Sequence, residues 1–247
     1  MKLMNKPALA ATGAAAALIC TAAAAQPAHP GSWTGPYLGL VTGAQRTSTH
    51  FALPGDTADV LVTDRDRDTK WFGGLVAGFN YEAGGGVVVG LEGDVTAGKN
   101  RLAVTACTTP DGCWTPAHDS FTTINHLTGT AAGHLRARVG IASGPSLFYA
   151  AGGYSLRRAR LDLLGECFNP GDPATPLLFT FSRSKTMSGF NLGAGYERQI
   201  GRHLAVRAEY LYDNFGDQLF RGDGAEWNDR RIAVRSSTFR IGADFGF

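Results

Sequence analysis

Polar and apolar side chains alternate with a period of two along most of this chain. In Phe239–Phe247, Phe239, Ile241, Ala243, Phe245 and Phe247 take one face, and Arg240, Gly242, Asp244 and Gly246 take the other. In Leu204–Tyr212, Leu204, Val206, Ala208, Tyr210 and Tyr212 oppose Arg207 and Glu209. That period belongs to strands, because successive side chains of a strand point to opposite faces. The same reading pairs Phe190, Leu192, Ala194 and Tyr196 against Asn191, Gly193, Gly195 and Glu197. It sets Leu135, Ala137, Val139 and Ile141 against Arg136, Arg138 and Gly140, and Val87, Val89, Leu91 and Val95 against Gly90, Glu92 and Asp94. Leu75, Ala77, Phe79 and Tyr81 oppose Val76, Gly78 and Asn80, and Leu38 and Leu40 oppose Gly39 and Gly43. A further strand, around Leu147–Leu161, begins apolar on both faces, so its facing is open. That makes eight.

The connections alternate as well. Glu82–Gly86, Ala142–Ser146 and Gln199–His203 are tight turns, whereas the stretches around 46–69, 98–125, 162–185 and 216–232 are long and polar. Short turns at one end and long loops at the other are the pattern of barrels that cross an outer membrane. The facing of the charges supports this. A water-facing barrel would keep its apolar face inside, yet here the apolar face has almost no charge through the strand centres, which suits hydrocarbon. Tyr81, Tyr210, Tyr212, Phe245 and Phe247 cluster near strand ends, where interfacial aromatic belts lie. The expected fold is therefore all-β, an eight-stranded antiparallel up-and-down transmembrane barrel with short periplasmic turns and long extracellular loops. Glu92, Asp94, Arg136, Arg138, Glu197, Arg207, Glu209, Arg240 and Asp244 then face a lumen, where opposite charges pair and fill the space.

The N-terminus changes the picture of where the chain goes. Lys2 and Lys6 precede an alanine-rich apolar run that ends in small residues at Ala25, as in a cleaved signal peptide. Residues 1–25 are read as that peptide, 26–32 as a short linker and 33–247 as the barrel. Cleavage removes two lysines and no acid, so the formal charge falls from +2 to zero and gives no attraction to nucleic acid. The 33 glycines in 247 residues fit close backbone contacts and turns.

Export also opens disulfide chemistry. Cys107 and Cys113 flank a Pro- and Gly-containing turn, and a bond between them would contribute about 2 kcal/mol in the entropic account. Cys167 competes as a partner, and the connectivity stays open. Neither this spacing nor Asp64-Arg-Asp-Arg-Asp68, which lacks the glycine and bidentate acid of a calcium loop, makes a metal site. That charge run suits contact with anionic lipid headgroups. No phosphate-cradling or nucleophile motif stands in the context it needs, so no cofactor is expected and the chain is read as non-enzymatic. His118, Asp119, Ser120 and His126 are the residues from which a lipid A-modifying site would have to be built.

Several short motifs recur in a familiar order: Trp33-Thr-Gly-Pro-Tyr-Leu-Gly39, Phe72-Gly-Gly-Leu-Val-Ala-Gly-Phe-Asn-Tyr81, Leu135-Arg-Ala-Arg-Val-Gly140, Tyr149-Ala-Ala-Gly-Gly-Tyr154, Arg207-Ala-Glu-Tyr-Leu-Tyr212 and Phe245-Gly-Phe247. From Trp33 to Phe247 the chain resembles the small porin-like outer-membrane β-barrels, the outer-membrane immunogenic proteins. The resemblance implies an eight-stranded barrel, surface-exposed loops open to an outside partner, and a role in envelope organisation among outer-membrane lipids and lipopolysaccharide. It also implies that Phe247 is read by the barrel-assembly machinery. A narrow porin-like channel is the alternative.

Overall fold

In the computed structural model, residues 32–52, 61–62, 65–107, 120–169, 172–222 and 229–246 are described. Eight long strands form the barrel: β1 (Gly35–Ala52), β2 (Arg65–Ala83), β3 (Val87–Cys107), β4 (Ser120–Ser143), β5 (Ser146–Asn169), β6 (Asp172–Gln199), β7 (Leu204–Phe220) and β8 (Arg230–Gly246). Each pairs antiparallel with its neighbour in sequence, and β1 pairs with β8 to close the ring. A two-residue strand, Leu61–Val62, adds to the end of β3. The predicted cleavage site, Cys113 and Phe247 lie outside the described residues, as do His118 and Asp119.

Register fixes the shape. Partners followed around the ring from Tyr37 run through Gly78, Glu92, Arg136, Gly153, Asn191, Asp213 and Ser236, and return to β1 at Thr47, ten residues further on. Such a stagger tilts the strands by roughly 40° and leaves an interior that side chains can fill. The three periplasmic turns are tight, as expected: Gly85 and Gly86 supply the positive φ of the first, and Gly144 that of the second.

The strands reach further into the polar connections than the periodicity indicated. They carry 17 to 28 residues, whereas a membrane crossing takes about 9–11. Outward-facing Leu38, Leu75, Leu91, Leu135, Phe148, Leu192, Val206 and Ile241 are all exposed and form a continuous apolar band. Tyr81, Phe148 and Phe245 lie at its periplasmic edge, and Trp71 and Phe190 near the other. Above this band the facing of apolar residues reverses. Leu102, Leu127, Leu161, Leu163, Met187, Phe215, Phe220, Ile232 and Val234 point inward and form one buried cluster. The strands persist there because this core gives the alternation something to bury.

Candidate functional site

The inward face of the membrane-spanning part holds the chemistry. Two glycines shape it by close approach. A Cβ on Gly78 would collide with the Tyr37 ring, and one on Gly195 with the Tyr149 ring, so each tyrosine lies across a strand that offers it only backbone. Both hydroxyls then reach the centre: Tyr37 donates to Glu92 Oε2 at 2.6 Å and Tyr149 to Glu209 Oε2 at 3.2 Å. The Arg138 guanidinium sits 3.9 Å from the Tyr149 ring centroid, a cation–π contact.

Glu92 is the hub. It pairs with Arg136, with Arg207 Nη1 at 2.7 Å, with Arg138 Nη1 at 3.3 Å and with Arg240 Nη2 at 3.4 Å. Glu209 pairs with Arg136 and with Arg240 Nη2 at 2.8 Å. Arg240 Nη1 reaches Asp94 at 2.8 Å, Arg138 Nη2 reaches Glu197 at 2.8 Å, and Arg207 Nε reaches Asp244 at 2.6 Å. All nine residues expected to face the lumen are buried and belong to this one web of ion pairs.

Three members escaped the sequence reading. His134 stands between Asp94 (Nδ1, 2.6 Å) and Asp213 (Nε2, 3.1 Å), with both ring nitrogens on carboxylate oxygens. An imidazolium has the two N–H donors that these two carboxylates can accept. Among the described residues, six buried carboxylates (Glu92, Asp94, Glu197, Glu209, Asp213, Asp244) face five buried arginines and His134, and the charges balance when the imidazole is protonated. Arg157 is the outlying cation. It is held by neutral acceptors, with Nη1 on Ser236 Oγ at 2.8 Å and Thr47 Oγ1 at 3.2 Å. Its Nη2 donates to Gln45 Oε1 at 3.0 Å and Asn100 Oδ1 at 3.1 Å. His134 and Asp213 continue the alternation of Arg136 and Glu209, so period two extended by one or two steps finds them. Arg157 lies on β5, whose facing the sequence left open.

Apolar clusters flank this charged layer on both sides. On the extracellular side lies the Leu161 cluster. On the periplasmic side Trp33 packs with Val88, Leu147, Tyr149, Ala151 and Ala205. The chain before β1 is pinned across that mouth: the Trp33 amide donates to Glu82 at 2.9 Å, and Gln199 Nε2 donates to the Ser32 carbonyl at 3.0 Å. A vestibule of ≈ 70 Å³ beneath it is lined by Trp33, Tyr37, Glu197 and Asp244.

A closed ring of eight strands with an apolar outer band is the architecture of an outer-membrane barrel. The profile of the family described as "Outer membrane protein beta-barrel domain" matches residues 12–247. The chain belongs to this family. It is an outer-membrane protein, similar to the 31 kDa outer-membrane immunogenic protein of Brucella melitensis, with 29% identity covering 92% of this chain and 89% of the relative. The 25 kDa outer-membrane immunogenic protein of the same organism is 24% identical, over 88% of this chain and 78% of that one. Among solved structures, OprG of Pseudomonas aeruginosa matches at a TM-score of 0.44 and 11% identity, covering 89% of this chain and 100% of that chain.

One residue of the candidate lipid-modifying set can be placed in this barrel with its side chain. His126 lies opposite Asp162, which lies opposite Ser182, in a row across the outer face of β4, β5 and β6. Burial and the nearby Arg101 hold the imidazole below its usual range, against the pull of Asp162. Ser182 donates its hydroxyl proton to Asp162, whose carboxyl is held low by this bond and by Arg160 against the effect of burial. The acid thus stands between hydroxyl and imidazole. Nucleophile activation needs the imidazole in the middle.

Proposed function

We propose that this outer-membrane barrel has a structural role, stabilising the envelope and presenting its extracellular end to outside partners, with a lumen that does not conduct. The observation that carries the reading is the stack inside the barrel. An ionic layer fills the bore below an apolar core, so a water column would have to cross that packed core as well as the ion pairs. Eight-stranded barrels of this width are filled by side chains, and unpaired charges there would be costly. The wrong order of His126, Asp162 and Ser182 speaks against a lipid-modifying enzyme, and the naming of the Brucella relatives as immunogenic proteins fits a surface role.

Planar-bilayer recording tests the closed lumen. Purified folded protein should give no steps above the bare membrane, and replacing Trp33 by alanine should leave it silent, because the upper core still seals the bore. Unitary conductance of the unaltered protein would replace this reading with a narrow channel. Cells lacking the protein should also become more sensitive to detergent and chelator. Unchanged sensitivity would remove the envelope role.

A further inference from the structure

The outer face carries an ordered set of cations just above the apolar band. Moving toward the extracellular end along outward positions, the first charged residue is Arg46 on β1, Arg67 on β2, Lys99 on β3, Arg158 on β5 and Arg235 on β8. At the same level β4, β6 and β7 carry uncharged polar groups, among them Thr128, Ser188 and Asn214. The first outward charge on β7 is an acid, Asp217, which pairs with Ala233 one row above Arg235.

Three of these cations converge. Register sets Arg235, Ser48 and Arg67 side by side across β8, β1 and β2. One row below, Tyr212, Ser237 and Arg46 are neighbours across β7, β8 and β1. These six residues, with Ser236, line a groove of ≈ 410 Å³ whose wall holds no acidic side chain among the described residues. Tyr210 steadies its floor by donating to Ser237 Oγ at 3.0 Å. Asp217 lines the adjoining groove above, beside Arg67 and Arg235, and is the one acid among the described residues of that wall. Toward the membrane the same strands present exposed Phe239 and Trp71.

We propose that this groove binds a phosphate of a phosphorylated glycolipid of the outer leaflet, with the sugar-phosphate on Arg46, Arg67 and Arg235 and the acyl chains along Phe239 and Trp71. Guanidinium groups recognise phosphate by paired N–H donors, and the serine and tyrosine hydroxyls add further donors. The depth selects a lipid over a soluble anion: the groove opens where the apolar band ends, the level at which the headgroup of an inserted lipid begins. The inference rests on the outer-membrane barrel reading and adds a ligand to it.

The test uses the full folded barrel in phosphatidylcholine nanodiscs containing either bisphosphorylated lipid A or the same lipid A stripped of phosphate. Native mass spectrometry reads retained glycolipid. The unaltered barrel should retain the bisphosphorylated form on the order of tenfold better than the stripped form. Arg46→Gln with Arg235→Gln should erase most of that preference, while Arg202→Gln in a periplasmic turn should leave it intact. Equal retention of both lipids by the unaltered barrel would overturn the site. So would a preference that survives the double substitution, or its abolition by millimolar inorganic phosphate, which would mark a soluble-anion site. A heat-shifted band on electrophoresis reports the barrel independently, so a folded barrel without phosphate preference sinks this inference alone.

Discussion

The lower and upper halves of this barrel are built from the same continuous strands and obey opposite rules. In the lower half Leu135 is 64% exposed while Arg136 is 1% exposed. In the upper half Leu161 is fully buried, and its neighbours Arg160 and Asp162 are outward and solvated. Hydrocarbon surrounds the first and water the second, so the apolar set moves from outside to inside as the strands leave the membrane. On β5 and β8 the change is written in sequence parity. Phe148, Tyr154 and Leu156 are even and outward, and Leu161 and Leu163 are odd and inward; Phe239 and Ile241 are odd and outward, and Ile232 and Val234 are even and inward. On β4 a register shift between Gly129 and Ala131 does the work instead. Leu135 and Leu127 share parity, and the bulge turns Leu127 into the core.

The largest predicted effect lies in the charged layer. Arg136→Met leaves Glu92 and Glu209 each short of a guanidinium and should cost about 3–5 kcal/mol, measured by urea titration of the barrel in lipid vesicles. Next is the upper core, where Leu161→Ala should cost roughly 2–5 kcal/mol on the same titration. A loss of under 1 kcal/mol there would mean that the extension is not packed. The comparison then sharpens on the outer surface of one strand. Leu192→Arg in the apolar band should cost about 2–4 kcal/mol. Ser184→Arg, outward on β6 beyond the band, should stay within about 0.5 kcal/mol. Equal penalties at both sites would erase the boundary.

The lower half was legible because its period-two pattern is unbroken and its polar partners are charged. All nine lumen residues came from that pattern, and His134 and Asp213 lay one or two steps along it. The upper half was read as loop for a physical reason. Its outward residues are Thr, Ser, Arg and Asp, and its inward leucines arrive on the parity that had just been polar, so the switch reads as a loss of pattern. The bulges at Gly129/Ala131 and Asn214/Asp217 blur it further. Trp33 was legible as the barrel's start, and its burial depends on contacts with Val88, Leu147 and Ala205, which lie far apart in sequence. The phosphate groove was out of reach for the same reason, since register alone brings Arg46, Arg67 and Arg235 together.

A scan of spin labels along the outward positions of β5, in a chain whose cysteines are replaced by serine, tests the reversal most directly. At Phe148, Ala150, Tyr154 and Leu156 the label should be accessible to lipid-dissolved oxygen and shielded from a water-soluble nickel chelate, and at Arg158 and Arg160 the order should invert. Chelate access at all six positions, or oxygen access continuing through Arg160, would contradict a membrane boundary between Leu156 and Arg158.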